Sequence, residues 1–288
     1  MNNYYWITDP HFDHMNDDDV LNFIDLLSNI QNIKGIIITG DISNATQLKK
    51  HLIGLSKLTI PTYFVAGNHD YYKGSFSNVD NLLFEMNSQY DNLYWLNAGE
   101  VEIDSGAVIT GVGGWYDAYY GDTNTRMELN DFYLIEELVP GKKFRNLLIE
   151  LVRQRARSEV EVLRSQLDRV CERYKRVIIA THVPPYPESS LYRGKVNDDY
   201  AAPWFISRLM GELLVDYAER YREVEFIVLC GHSHHPAEFR KRDNLIVYTG
   251  LAKYDNPGVA GVFEDNKMMI GTVYYFLSSD WKYRKSNK

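Results

Sequence analysis

Apolar and polar positions along the chain follow two alternating periods. Residues 4–8, 35–39, 62–66, 176–181 and 225–230 are short β-branched or aromatic runs, as expected of strands buried on both faces. Between them, residues 17–30 put Val20, Phe23, Ile24 and Leu27 at helical spacing, and residues 46–58, 78–87, 144–174 and 203–222 read as further helices. Pro203 stands at a permitted early helical position. Short strands are expected near residues 93–97 and 107–111. Residues 113–142 are aromatic, Gly-rich and acidic with no period, and a long loop of this kind is usually functional or else poorly ordered. From 236 to 277 short strands follow one another without helices, which reads as a second, antiparallel-rich sheet. The pattern predicts an α/β fold of two sheets flanked by helices.

The chemistry collects where the strands end. Five of these strands run into Asp9-Pro10-His11, Gly40-Asp41, Gly67-Asn68-His69-Asp70, His182 and Gly231-His232-Ser233-His234, so five of the eight histidines lie at strand ends. In α/β sheets the crevice beyond the carboxyl ends of strands is where ligands bind. Carboxylate, amide and neutral imidazole, with no thiolate, suit Mn, Fe, Zn, Co or Ni. Glycine before three of these groups allows a sharp turn and close backbone approach. The i, i+2 spacing of Asp9/His11 and His232/His234 puts each pair on one side of an extended segment. A lone Asp before a helix is often only an N-cap, but the adjacent polar blocks Asn68–Asp70 and His232–His234 at buried strand ends have few structural uses. The set is large enough for two metal ions, about 3.5–4 Å apart in such centres.

D-x-H, G-D, G-N-H-D, a lone His after a strand and G-H-x-H, in this order over residues 4–251, resemble the calcineurin-like metallophosphoesterase superfamily. The resemblance implies a four-layer α/β/β/α sandwich with two mixed sheets; chain length predicts one domain over residues 1–288, and the pattern an inserted loop and long helix at 113–175 within it. The resemblance also implies that Asp9, His11, Asp41 and His234 hold one divalent metal, and that Asn68, His182 and His232 hold the second with Asp41 bridging. Mn2+ is the first expectation for both. His69 would be the general acid or the group stabilising the leaving oxygen, with Asp70 orienting it. The implied activity is hydrolysis of a phosphomonoester or phosphodiester by a metal-bridging hydroxide, and a small, nucleotide-like compound is the expected substrate. Two divalent ions neutralise an anionic ester and acidify a bound water, so the assignment is chemically coherent. The alternatives are a nuclease of the same superfamily or a non-catalytic metal-binding scaffold.

Composition narrows the partners. The 288-residue chain has 31 basic and 39 acidic side chains and a net charge of −8, which speaks against broad salt-driven binding to extended nucleic acid. Its two cysteines, Cys171 and Cys230, suggest neither a disulfide framework nor a thiolate metal site. No apolar run reaches the roughly 20 residues of a membrane span, and no basic stretch precedes an apolar one at the start, so a cytoplasmic location is expected.

Trp115 and Tyr116, with Tyr119 and Tyr120, are candidates for stacking on a base, or else cover the second sheet. Arg193, with Lys195, is a candidate anion contact, and His14 a candidate at the mouth of the site. Arg126, Asn130 and Asp131 offer phosphate or sugar contacts or belong to a solvated loop. His51 is expected on the surface. The arginines of 144–174, interleaved with glutamates, predict a solvated or dimerising face.

Overall fold

A computed structural model describes residues 3–264 and 267–275. The chain runs through β1 (Asn3–Ile7), α1 (Asp17–Ser28), β2 (Ile33–Thr39), α2 (Ala45–Leu55), β3 (Thr62–Val65), α3 (Phe76–Gln89) and β4 (Leu93–Trp95). It continues through β5 (Val101–Asp104), β6 (Ala107–Gly111), α4 (Asp131–Leu134), α5 (Arg145–Val170) and β7 (Arg176–Ala180). A small hairpin follows, β8 (Leu191–Tyr192) and β9 (Lys195–Val196), then α6 (Ala202–Phe205), α7 (Arg208–Arg220) and β10 (Glu225–Cys230). The last strands are β11 (Ala237–Arg242), β12 (Leu245–Thr249), β13 (Gly258–Glu264) and β14 (Lys267–Tyr275).

Two six-stranded mixed sheets result, ordered β14-β13-β1-β2-β3-β4 and β11-β12-β10-β7-β6-β5. Four parallel strands make up most of each, β1 to β4 in the first and β6, β7, β10 and β12 in the second. Alternation along the strands decides what each face meets. Trp6, Ile37 and Val65 of the first sheet share a cluster with Ile109, Ile178 and Ile227 of the second. The opposite face of the first, with Ile36, Ile38 and Phe64, packs on Phe23, Leu48 and Leu83 of α1, α2 and α3. Val177, Ile179 and Val228 pack with Leu163 and Leu167 of α5 and Leu214 of α7. The three isoleucines of the run GIIIT are therefore all buried because both faces are covered.

The helices after the first three strands begin at side-chain caps. Asn16, Asn44 and Ser75 accept from the backbone N–H of Asp19, Thr46 and Asn78. Fixing those starts fixes the loops that leave β1, β2 and β3.

Residues 113–175 lie between β6 and β7. Their aperiodic part is ordered by arginines of α5 rather than left in solvent. Arg145 donates to the carbonyls of Thr123 at 2.7 Å and Thr125 at 3.1 Å, and its guanidinium lies 4.4 Å from the Trp204 ring centroid. Arg153 reaches the carbonyls of Asp117 and Ala118. The solvated or dimerising face expected for these arginines is thus corrected at Arg145, Arg153 and Arg155.

Arg155, its side chain 12% exposed, lies between Asp80 (2.6 Å), Glu159 (2.8 Å) and the Tyr71 hydroxyl (2.7 Å), joining α3, α5 and the segment after β3. Burial raises the Glu159 pKa, and the Arg155 charge opposes that rise. Arg155→Met, which leaves a buried carboxylate uncompensated, is expected to cost about 3–5 kcal/mol in chemical denaturation.

Three other expectations are corrected. The single helix at 203–222 is broken into α6 and α7 at Ile206 and Ser207, because Ser207 N–H donates to Pro184 O (2.9 Å) and Asp117 caps α7 at Leu209 N–H (2.7 Å). The strands of 236–277 are not a separate sheet. β11 and β12 extend the second sheet, since β12 pairs parallel with β10, whereas β13 and β14 return to the first beside β1. The part of that range beyond Tyr275 lies outside the described residues. His51 is buried, with Nδ1 at 2.8 Å from Ser43 Oγ. Cys171 and Cys230 are free and buried. Among the described residues no helix is long and apolar enough to cross a membrane.

Candidate metal centre

The parallel strands of both sheets aim their carboxyl ends at one place. Asp9 and His11 follow β1, Asp41 follows β2, and Asn68, His69 and Asp70 follow β3. From the second sheet His182 follows β7, and His232 and His234 follow β10. The loops are tied together by their backbones: Asp9 N–H donates to Gly40 O, His11 N–H to Asp41 O and Gly231 N–H to His182 O. A Cβ on Gly67 would run into Asp41, and one on Gly231 into Asp9 and Thr8. These two glycines are there because the loops touch.

The backbone itself is bent to place the side chains. Among the described residues ten other than glycine have positive φ, and five of them are Asp9 (47°), His11 (44°), Asp41 (52°), His232 (66°) and His234 (57°). Left-handed conformations in non-glycine residues concentrate at functional sites. Nothing in residue spacing announces them.

The expected ligands form two groups, and among the described residues His11, His14 and His69 also present ring nitrogens within 4.8 Å of one another. Asp9, His11, Asp41 and His234 present atoms within 4.8 Å of one another. Within this group His11 Nε2 is 3.1 Å from His234 Nε2 and 3.7 Å from Asp41 Oδ2, and His234 Nε2 is 3.3 Å from Asp9 Oδ1. His11 Nδ1 and Asp41 Oδ2 are buried without a hydrogen-bond partner.

In the second group, His182 Nδ1 lies 2.8 Å from Thr39 O and donates to it, which leaves the lone pair on Nε2. That lone pair faces Asn68 Oδ1 at 3.0 Å and Asp41 Oδ1 at 3.3 Å. His232 Nε2 donates to Trp204 O at 2.9 Å, so its lone pair is on Nδ1, 3.0 Å from the same Asn68 oxygen. The break after α6 matters here, because it leaves the Trp204 carbonyl free to accept.

Electrostatics agree with a missing positive charge. Burial pushes the His232 pKa down to about 4 and also lowers that of His182, so neither ring supplies a proton for these contacts at neutral pH. Burial, with the charges of Asp9 and Asp70, holds the Asp41 carboxyl well above the usual range. Burial takes His11 down to about 3. Burial also acts to lower His234, but the Asp9 carboxylate beside it outweighs this and raises the pKa. The converging lone pairs of His182, His232 and Asn68 are a fit for a bound cation, and oxygen with imidazole suits first-row divalent metals.

The other candidates divide. The His69 ring stacks on Tyr72 at 4.2 Å between centroids, its Nε2 is 3.9 Å from Asp41 Oδ2, and its backbone N–H donates to Asp41 Oδ1 at 2.8 Å. Asp70 is buried and accepts from Ser43 N–H and Gly67 N–H, both at 2.8 Å, so its hydrogen bonds hold the loops rather than the His69 ring. His14 is half-exposed at the mouth, with its ring 5.7 Å from that of His11.

Trp115 and Tyr116 are in the core, Tyr116 with its hydroxyl 2.7 Å from Asp131, so neither ring is offered to a base. Arg193 is exposed on the β8–β9 turn, its guanidinium 5.2 Å from the Tyr192 ring centroid. Asp131, a candidate sugar or phosphate contact, is wholly buried.

Tyr254 is a residue that sequence reasoning missed. It lies in the segment after β12, 44% exposed, with its ring 4.4 Å from His11, 4.8 Å from His14 and 5.0 Å from His234. No motif marks it, and only the fold brings it over the site.

A family profile for calcineurin-like phosphoesterases matches residues 3–236. No curated protein matches the sequence. Among solved structures, the chain is similar to phosphopantetheinyl hydrolase from Mycobacterium tuberculosis, with a TM-score of 0.64, 14% identity, and 88% of this chain and 90% of that chain covered. A dimetal phosphatase from Danio rerio aligns with a TM-score of 0.55 and 13% identity, covering 90% and 92% of the two chains. A protein from Thermus thermophilus gives 0.57 and 13%, covering 94% and 98%. At these identities the likeness is one of fold, whereas the profile spans all five strand-end motifs, and the chain belongs to the calcineurin-like phosphoesterase family of metal-dependent hydrolases.

Proposed function

We propose that the chain hydrolyses a phosphoester of a small, nucleotide-like compound. Asp9, His11, Asp41 and His234 would hold one divalent ion, Asn68, His182 and His232 would hold a second, and Asp41, with one oxygen toward each group, would serve both. The observation that carries this reading is the meeting of three lone pairs, His182 Nε2, His232 Nδ1 and Asn68 Oδ1, with no donor between them. Bound divalent ions supply Lewis acidity toward phosphoryl oxygens and lower the pKa of water. Manganese is the first candidate, because the donors are carboxylate, amide and imidazole.

The protein's own groups do the rest. Thr8 Oγ and His232 N–H hydrogen-bond Asp9 and keep its carboxylate aimed inward. His69 stands beside the centre, closer to it through its backbone than through its ring, and is placed to hydrogen-bond the departing oxygen. Asp70 orients it by fixing the loop. Tyr254 over the site and Tyr192 beside Arg193 present aromatic surface for a base, in place of Trp115 and Tyr116.

The test compares p-nitrophenyl phosphate with bis(p-nitrophenyl) phosphate on Mn2+-loaded protein. Turnover of either is expected, and the preferred ester divides monoesterase from diesterase. Two bound metals with no turnover of these or of a nucleotide panel would sink the hydrolase reading for a scaffold.

A further inference from the structure

Asn68 contributes through an amide, and an amide has a wrong way round. If it turned over, an NH2 would face two imidazole lone pairs. What fixes it is Asp131, wholly buried at the start of α4. Asp131 Oδ1 accepts from Asn68 Nδ2 at 3.0 Å and from the Tyr72 hydroxyl at 2.6 Å, and its Oδ2 accepts from the Tyr116 hydroxyl at 2.7 Å. With Nδ2 committed there, Asn68 Oδ1 must face His182 and His232. Tyr72, tied to the same carboxylate, is the ring on which His69 stacks. One carboxylate of the segment inserted between β6 and β7 therefore sets both the Asn68 amide and the plane beneath His69.

We infer that Asp131 is a positioning residue: it aims the Asn68 oxygen at the second metal position and, through Tyr72, holds the His69 ring. The inference rests on the reading of Asn68, His182 and His232 as metal ligands. Side chains behind metal ligands typically change metal affinity or activity by about 10- to 100-fold when removed. The docking of the segment does not depend on this side chain alone. Lys73 N–H donates to Leu134 O at 2.7 Å, and Glu136 N–H to Gly74 O at 3.0 Å.

The experiment titrates Mn2+ into metal-free protein calorimetrically, with melting temperatures measured in parallel. Wild type is expected to bind two equivalents; fewer would overturn the metal reading itself, separately from Asp131. Asp131→Leu is expected to keep the first equivalent and weaken the second roughly 10- to 100-fold. Tyr116→Phe, which removes a donor to Asp131 without touching Asn68, is expected to keep both. Asn68→Asp has two equivalent oxygens and needs no orienting partner, so adding Asp131→Leu to it should weaken the second metal no further.

Wild-type affinity in Asp131→Leu would overturn the inference. So would equal loss in Tyr116→Phe at equal loss of melting temperature, which would mark a structural network only. Should Asp131→Leu fail to fold, Asp131→Asn carries the test: its single acceptor oxygen is contested by three donors, and the second metal is expected to weaken. Unchanged affinity there would overturn the inference equally.

Discussion

Asp41→Asn is expected to reduce turnover by roughly three orders of magnitude, about 4 kcal/mol of transition-state stabilisation, and to leave at most one metal ion bound. Asp41 is the carboxylate that reaches both groups. Its Oδ1 is 3.3 Å from His182 Nε2, and its Oδ2 is 3.7 Å from His11 Nε2 with no hydrogen bond of its own. Burial and the neighbouring carboxylates oppose its ionisation, so without cations the charge is a liability. The variant therefore separates two effects. In chelator, losing a buried charge should leave its melting temperature at or above that of wild type. With added metal, wild type should gain about 2.7 kcal/mol for each site at a hundredfold excess over Kd, a gain that Asp41→Asn loses in large part. Thermal melts with and without chelator, beside metal analysis of the purified proteins, would show it. A variant that binds two metals and keeps its turnover would remove Asp41 from the centre.

His69→Asn is expected to do the reverse, lowering kcat by roughly 10²- to 10⁴-fold while both metals stay bound. The ring is held by stacking on Tyr72 and by a backbone bond to Asp41, and its Nε2 comes no nearer to Asp41 Oδ2 than 3.9 Å. If His69 stands beside the metals without joining the proposed ligands, it should matter to the leaving oxygen and little to the ions. The discriminating substrates are esters of graded leaving-group acidity: the deficit should shrink as the leaving group becomes a better one and needs less help. Equal loss of metal and turnover would make His69 a ligand instead.

What could be read beforehand was what local pattern encodes. Residues 36–38 and 226–230 are apolar and buried throughout because helices on one side and the facing sheet on the other cover them, and the strand ends carry residues with few structural uses there. What could not be read is set by distant pairing. β12 chooses the second sheet through β10, and β13 the first through β1, although both follow similar strand-like sequence. The helix break at Ile206 depends on Asp117 and Pro184, far away in the chain. Trp115 and Tyr116, in an aperiodic stretch, could be read either as rings that stack on a base or as cover for the second sheet, and it is α5 that pins the stretch down and buries both. Asp131 could be read only as a phosphate or sugar contact or part of a solvated loop; that it meets Asn68 and Tyr72 is set by the fold.

The left-handed residues of the centre bear on how this protein can be improved. Each of Asp9, His11, Asp41, His232 and His234 is held in a backbone conformation that disfavours it by about 1 kcal/mol or more, a sum comparable with the lower end of a domain's net stability. Glycine at any of them would relieve the backbone and delete a donor atom. A laboratory selection for heat resistance alone would therefore find easy gains in the very loops that carry the chemistry, and its winners would be sturdier and inert. A selection that keeps metal in the medium and demands turnover at every round would instead be driven outward, to the helices and the sheet edges.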